Sequence, residues 1–170
     1  MTELTYPEVG ATREGARPAG YHHFERVVEI GRGDAALAAA IDGLLTFGMH
    51  RLAGLRPHTT TPRAAVGTEV TCRFGLGPVG LRVPTRIVWV VDEPDRAGFG
   101  YGTLAGHPER GEEAFLVERG DGGAVRFTVR SFSRPATWFA KLGGPLTQLL
   151  TNHVNRRYVA AMRRLAATPR

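Results

Sequence analysis

The first regular pattern in the chain alternates with a period of two. Between Tyr21 and Ile30, Phe24 and Val28 share one face with Arg26, which is typical of a half-buried strand. Residues 1–20 mix charges with several prolines and glycines and keep no period. We therefore expect an irregular lead-in before the first strand.

A helical period follows this strand. Apolar residues recur every three or four positions from Leu37 to Leu52, with alanines between them that favour a helix. Asp34 stands at the start, where its carboxylate could accept hydrogen bonds from the first free amides as an N-cap. The pattern ends near Gly54 and predicts one helix of about four or five turns.

The middle of the chain predicts consecutive strands separated by turn sequences. Leu81–Asp92 is expected to be central because its core, Arg86–Val91, is apolar on both faces, while Pro84 within it indicates an edge or a bulge. The predicted strands are Leu55–Thr61, Thr68–Phe74, Leu81–Asp92, Ala97–Leu104, Glu112–Arg119 and Ala124–Ser133.

A second helical stripe occupies the C-terminal part. Pro135 fits the first turn of a helix, where proline is tolerated, and apolar residues keep helical spacing to Leu165. The run Gly143-Gly144-Pro145 should kink or break this helix.

This order of elements predicts a fold class. Consecutive strands joined by short turns form an antiparallel sheet, and one apolar face of a sheet needs a cover. We predict an α+β fold in which a curved antiparallel sheet of about six to seven strands grips the C-terminal helix, as one domain over residues 21–170. A curved sheet of this kind often leaves a cavity under the helix. Gly98, Gly100 and Gly102 fit such a cavity, and close packing of the helix is the alternative.

Composition and charge narrow the class of protein. The 170 residues are 42% hydrophobic and 22% charged, which is ordinary for a globular protein with its own core. The single cysteine, Cys72, excludes an internal disulfide. No apolar stretch approaches the roughly 18 residues that span a bilayer, and the N-terminus lacks a secretory pattern. We expect a cytoplasmic protein without a transmembrane segment.

The net charge of +6 is unevenly distributed, because no acid follows Asp121. A basic C-terminal helix could contact anionic lipid or nucleic acid. A solvated helix face is the alternative, and no recognition motif or aromatic platform supports nucleic acid.

Candidate catalytic residues lie around one turn. His107 beside carboxylates could act as a base, although the charges of a hairpin turn are often simply solvated. His107 and Glu109 could hold a metal, but no third ligand is evident, so neither a metal nor another cofactor is predicted. Glu113 alternates with Phe115, and an inward carboxyl there would have a raised pKa.

Candidate ligand contacts lie on the predicted strands. Tyr101 and Thr103 carry hydroxyls that could orient a ligand. Arg26 shares an apolar face, so it would need a carboxylate such as Glu113 or a ligand anion unless it reaches water. Aromatic residues in a sheet are often plain core, but five could line a pocket: Trp89, Phe99, Tyr101, Phe115 and Phe127. The first four are the predicted ligand contacts.

Several motifs resemble one family over nearly the whole chain. The run from Tyr101 to Phe115, YGTLAGHPERGEEAF, is similar to the signature of the uncharacterised domain of unknown function 1990 family of bacteria and plants. Leu4–Glu8, Pro18–Tyr21, Arg86–Trp89 and Phe132–Pro135 support it. This resemblance implies no activity. In topology alone, the element order is similar to the START and polyketide-cyclase helix-grip superfamily, whose members bind lipids, hormones or polyketides and include cyclases and hydratases.

Three hypotheses of function follow. The leading one is a protein that binds a small apolar or amphipathic molecule between the sheet and the C-terminal helix. The second is a cyclase, hydratase or hydrolase that uses the same cavity, with His107 or Glu113 as its acid–base group. The third is an interaction module that uses the basic helix. The sequence leaves the oligomeric state open.

Overall fold

The computed structural model describes residues 2–74, 81–136 and 144–167. Its elements in chain order are β1 (His22–Arg32), α1 (Asp34–Leu45), α2 (Gly48–Leu52), β2 (His58–Thr59), β3 (Glu69–Phe74), β4 (Leu81–Glu93), β5 (Arg96–Thr103), β6 (Glu109–Arg119), β7 (Ala124–Pro135) and α3 (Gly144–Ala166).

Within the described residues, seven strands form one antiparallel sheet in the order β1-β7-β6-β5-β4-β3-β2. β3 to β7 are neighbours in chain order, and short connections between β4 and β7 favour this antiparallel pairing of consecutive strands. β1 pairs with β7 at the far side, with Phe24 opposite Ser131. The predicted antiparallel sheet and C-terminal helix are confirmed, and β4 is an interior strand as expected.

The two faces of the sheet carry different cores. The face that contacts α1, α2 and α3, called the helix face below, holds the larger core, which includes Phe99, Phe115 and Met162. The opposite, outer face holds a smaller cluster around Trp89 and Leu116. The alternation of strand side chains between faces produces this division.

The first helical segment differs from its prediction. One helix to Gly54 was expected, but α1 ends at Leu45 and α2 begins at Gly48. Phe47 between them adopts φ 62 and is fully buried against Phe99, with 5.8 Å between ring centroids. A continuous helix would not make this left-handed turn, so burial of Phe47 accompanies the break.

The predicted N-cap of this segment is also wrong. Gly33 occupies the cap position, and Asp34 is the first helical residue. The Asp34 carboxylate forms an ion pair with Arg119 at 2.8 Å instead of accepting from the backbone of its own helix.

The C-terminal helix is confirmed over Gly144–Ala166. Pro135 does not open it, because Pro135 is the last residue of β7 and pairs with Glu109. The part of the predicted helix at 137–143, including Gly143 of the expected kink, lies outside the described residues. Among the helices that the structure describes, none has the length and apolar character needed to cross a bilayer.

The lead-in consists mostly of turns, with one isolated bridge between Leu4 and Leu104. Tyr6 and Thr12 within it are buried. Their hydrogen bonds to Glu112, described below, place this segment over the outer face of the sheet.

Candidate functional site

One row of paired residues on the helix face is only partly covered. It runs across four strands and is called the boundary row: Tyr101, Glu113, Ser131 and Phe24. Glu113, Ser131 and Phe24 are half-buried. The adjacent row across β5, β6 and β7 is fully buried and consists of Phe99, Phe115 and Val129. The helix face therefore changes at the boundary row from closed core to partly accessible surface.

Glu113 is the ionisable group of this row. Its carboxylate accepts a hydrogen bond of 3.0 Å from the Tyr101 hydroxyl. Burial raises the pKa of Glu113 to about 7, the Tyr101 hydrogen bond opposes the rise, and the charge of Glu109 adds to it. A carboxyl with this pKa is present in both protonation states near neutral pH, as acid–base chemistry requires.

Tyr158 brings a second phenol to the site from α3. Its phenol interacts electrostatically with that of Tyr101, and its ring lies edge-on to Phe115 at 5.1 Å between centroids. Burial first, and the Glu113 charge second, raise the pKa of both phenols. Both tyrosines are therefore neutral hydrogen-bonding groups beside Glu113.

His50 from α2 lies beneath these phenols. It is fully buried, and five aromatic rings surround it at centroid distances from 5.4 to 6.2 Å: Phe47, Phe99, Tyr101, Phe115 and Tyr158. Burial, with a smaller effect of Arg51, lowers its pKa to about 3, so the ring is neutral.

Two buried polar groups near the phenols lack partners. Within the described part of the chain, neither ring nitrogen of His50 has a hydrogen bond, and the same holds for the side-chain nitrogen of Asn155. Asn155 precedes Tyr158 by three residues on α3, so the two share a helix face. Buried polar atoms normally have partners, so these atoms can still form hydrogen bonds. His50, Asn155 and Tyr158 were not predicted from the sequence as polar groups of a site. Tyr158 was interpreted as one position of the apolar stripe along the C-terminal helix.

The structure brings together some of the predicted site residues and separates others. Phe99, Tyr101, Glu113 and Phe115 meet on the helix face. Trp89 does not join them, because it lies on the outer face and donates from Nε1 to Thr12 at 3.0 Å. The expectation that Trp89 lines the same pocket is wrong.

Thr103, Arg26 and His107 also differ from the expected arrangement. The Thr103 hydroxyl is hydrogen-bonded to Thr5 and accepts a hydrogen bond from the Gly111 amide. Thr103 therefore links the lead-in and β6 to β5. Arg26 is exposed, and its expected partner Glu113 is hydrogen-bonded to Tyr101 instead.

His107 is engaged with its own turn. Its Nδ1 accepts from the Glu109 amide at 3.0 Å, and burial lowers the pKa of His107 to about 4. In the described residues no hydrogen bond joins His107 to Glu113. The two candidate catalytic residues therefore form no acid–base pair here.

Glu112 forms the second polar group, called the outer clasp, with Tyr6, Thr12 and Trp89. Glu112 is 3% exposed. It accepts from Tyr6 Oη at 2.6 Å, Gly10 N at 2.7 Å, Thr12 N at 3.0 Å, Thr12 Oγ1 and Trp89 Nε1 at 3.3 Å. The burial of Glu112 under the lead-in was not predicted from the sequence. The strict alternation of side chains along β6 was the sequence signal from which the face of Glu112 could have been predicted.

The three glycines of β5 serve the outer face. A Cβ on Gly100 would lie 2.3 Å from Trp89 Nε1, and one on Gly102 would lie 2.2 Å from the Tyr6 hydroxyl. Gly100 and Gly102 therefore admit Trp89 and Tyr6, whereas a Cβ on Gly98 would lie 2.1 Å from the Phe115 carbonyl oxygen of β6. The proposed link between these glycines and a cavity under the helix is wrong.

Two further predictions concern a metal site and an anionic partner for the C-terminal helix. No group of three or more His, Cys, Asp or Glu side chains in the described ranges could hold a metal ion. An anionic partner for the C-terminal helix stays a prediction, and the arginines concerned are exposed on α3: Arg156, Arg157, Arg163 and Arg164.

Comparison with solved structures defines the class of fold. A hypothetical protein from Helicobacter pylori matches 98% of this chain and 97% of its own, with TM-score 0.64 and 12% identity. Truncated norcoclaurine synthase from Thalictrum flavum matches 88% of this chain and 96% of its own, with TM-score 0.58 and 14% identity. The chain therefore has the helix-grip fold.

Sequence comparison then identifies the family. The chain belongs to the family described as Domain of unknown function (DUF1990), which it matches over residues 5–161. A UPF0548 protein from Deinococcus radiodurans is 37% identical over 172 residues, covering 95% of this chain and 87% of the relative. The predicted family is confirmed.

Proposed function

We propose that this protein binds a small apolar or amphipathic molecule between the helix face of its sheet and α3. One observation carries the proposal: the half-buried Glu113 carboxyl lies at the border between a closed aromatic core and a partly accessible surface. A site with apolar walls and a few convergent polar groups is typical for small molecules.

The surroundings of Glu113 supply both kinds of contact. Phe115 and the rings of Tyr101 and Tyr158 offer apolar area. The hydroxyls of the tyrosines and the Glu113 carboxyl offer hydrogen bonds. The similar solved structures support the fold that this site requires. The class of ligand is inferred from the residues of this chain, because a fold alone does not determine a function.

Binding of a neutral fluorescent probe tests this proposal. N-phenyl-1-naphthylamine becomes more fluorescent when it leaves water for an apolar site. Ser131→Trp would fill the boundary row from β7. Arg126→Trp is the matched control, because Arg126 is exposed on the same strand and faces the other side of the sheet.

We expect saturable fluorescence with the wild-type protein and with Arg126→Trp, and its loss with Ser131→Trp. Folding of both variants is checked by circular dichroism. Equal binding by all three folded proteins would place the probe elsewhere and contradict the proposal.

Catalysis in the same site is a second candidate, favoured by the pKa of about 7 at Glu113. Glu113 would transfer a proton to or from the bound molecule in a cyclase, hydratase or hydrolase reaction. The test incubates the protein with the compound it retains on gentle purification. Product formation that is lost in Glu113→Gln supports catalysis, and an unchanged compound assigns the site to binding alone.

A further inference from the structure

We infer that the site around Glu113 selects a ligand with a protonated amine, whose ammonium group pairs with the Glu113 carboxylate. This inference rests on the proposed function and names its ligand class. It follows from which groups face Glu113 and which do not.

No described cation faces the Glu113 carboxyl. The titratable groups around it are Tyr101 on β5, Tyr158 on α3, Cys72 on β3, Glu109 on β6 and, beneath the phenols, the neutral His50 on α2. The two phenols and the Cys72 thiol are neutral, since burial raises the pKa of each. Glu109 adds negative charge.

Arg26 is the cation that the sequence offered as a partner, but it is exposed. Among the described residues no ion pair involves Glu113, although nine other contacts between a cationic and an acidic side chain occur. A partly buried carboxylate without a counter-charge is costly. A cationic ligand would remove this cost, whereas an anionic one would increase it.

The surrounding groups suit an ammonium ion in two further ways. The ring centroid of Phe115 lies 5.5 Å from that of Tyr101 and 5.1 Å from that of Tyr158. The faces of such aromatic rings attract cations. An ammonium ion also donates up to three hydrogen bonds. Glu113 and the phenol oxygens are acceptors for them, and the neutral His50 ring has a free acceptor nitrogen nearby.

Three probes with the same alkyl chain test this inference: octylamine, octan-1-ol and octanoate. Their dissociation constants are measured by calorimetry at about pH 8.5 and about pH 5.5, on either side of the Glu113 titration. We expect octylamine to bind about tenfold tighter than octanol at the higher pH. That preference should shrink at the lower pH, because the protonated carboxyl no longer attracts the ammonium group.

Two variants separate the charge pair from structural effects. Glu113→Gln should bring octylamine to the affinity of octanol at both pH values. Tyr101→Phe removes the hydrogen bond that lowers the pKa of Glu113, so the pH midpoint of octylamine binding should move upward. A loss of packing alone would weaken all three probes together without moving that midpoint.

Failure of this inference differs from failure of the proposed function. Octanoate binding tighter than octylamine at about pH 8.5, or an amine preference that survives Glu113→Gln, would overturn the amine class while leaving a binding site. Absence of binding by all three probes to the wild-type protein would reject both.

Discussion

Glu112 and Glu113 are consecutive residues of β6, yet their carboxylates lie on opposite faces of the sheet in opposite electrostatic situations. Glu112 accepts five hydrogen bonds under the lead-in. Among the described residues, Glu113 accepts one side-chain hydrogen bond, from Tyr101, at the partly accessible end of the helix face. The first carboxylate therefore fastens the N-terminal segment, and the second is available to a ligand.

Glu112→Gln should destabilise the fold by about 2–4 kcal/mol, because an amide nitrogen would face at least two donors and leave them unsatisfied. Urea unfolding measures this loss, and amide exchange at Gly10 and Thr12 should accelerate. The control Glu118→Gln removes a partly exposed ion pair with Arg96 and should cost less than about 1 kcal/mol. Equal losses of unfolding free energy in the two variants would contradict the stabilising role of the outer clasp.

Glu113→Gln should remove a pH dependence of stability. Because the pKa of Glu113 rises from 4.5 in its ordinary state to about 7 in the fold, the folded state holds a proton that the unfolded state has released. Stability is therefore lost as the pH rises from about 4.5 to about 7. We expect the variant to gain about 2–3 kcal/mol over the wild type at about pH 8.

Unfolding free energies of both proteins at several pH values test this. Their difference should be small near pH 4, grow through the window and then stay constant. A difference independent of pH would mean that Glu113 titrates normally in the fold.

His50→Leu should protect the protein against acid. The pKa of His50 falls from 6.5 to about 3 on folding, so protonation favours the unfolded state, and stability is lost as the pH falls below about 6.5. At about pH 5 this costs the wild type about 2 kcal/mol, which the variant avoids. His58 is exposed on β2, so His58→Leu serves as the control. Similar acid sensitivity in all three proteins would contradict the prediction.

Gly100→Ala should displace the Trp89 indole from the outer clasp, because the new Cβ would lie 2.3 Å from Trp89 Nε1. We expect a loss of about 1–3 kcal/mol and a change in the fluorescence of Trp89. In Gly120→Ala the new Cβ meets the exposed Arg126 side chain, which can move away. That control should therefore stay near wild-type stability, and an equal loss there would refute the role of Gly100.

The strands could be predicted from sequence because their alternation records which face is buried. β4 begins at the predicted Leu81 and β7 at the predicted Ala124. The helix break at Phe47 could not be predicted, since helical spacing continues through it and only burial of the ring favours the left-handed turn. Pro135 was misplaced because the same residue type suits the end of a strand and the start of a helix.

The candidate site could be predicted only for residues whose face of the sheet follows from the alternation of side chains along a strand. Tyr101, Glu113 and Phe115 could be placed on one face by counting along their strands. Trp89 was assigned to the wrong face, because β4 carries a register irregularity between Ile87 and Trp89 that counting does not reveal. His50 and Tyr158 reach the site from two helices, and only tertiary packing brings them together.

The most direct test of the binding site is native mass spectrometry of the gently purified protein beside Ser131→Trp and Arg126→Trp. We expect the wild type and Arg126→Trp to carry a small molecule that leaves on denaturation, and Ser131→Trp to lack it. A retained molecule in all three proteins would show that the boundary row does not form the site.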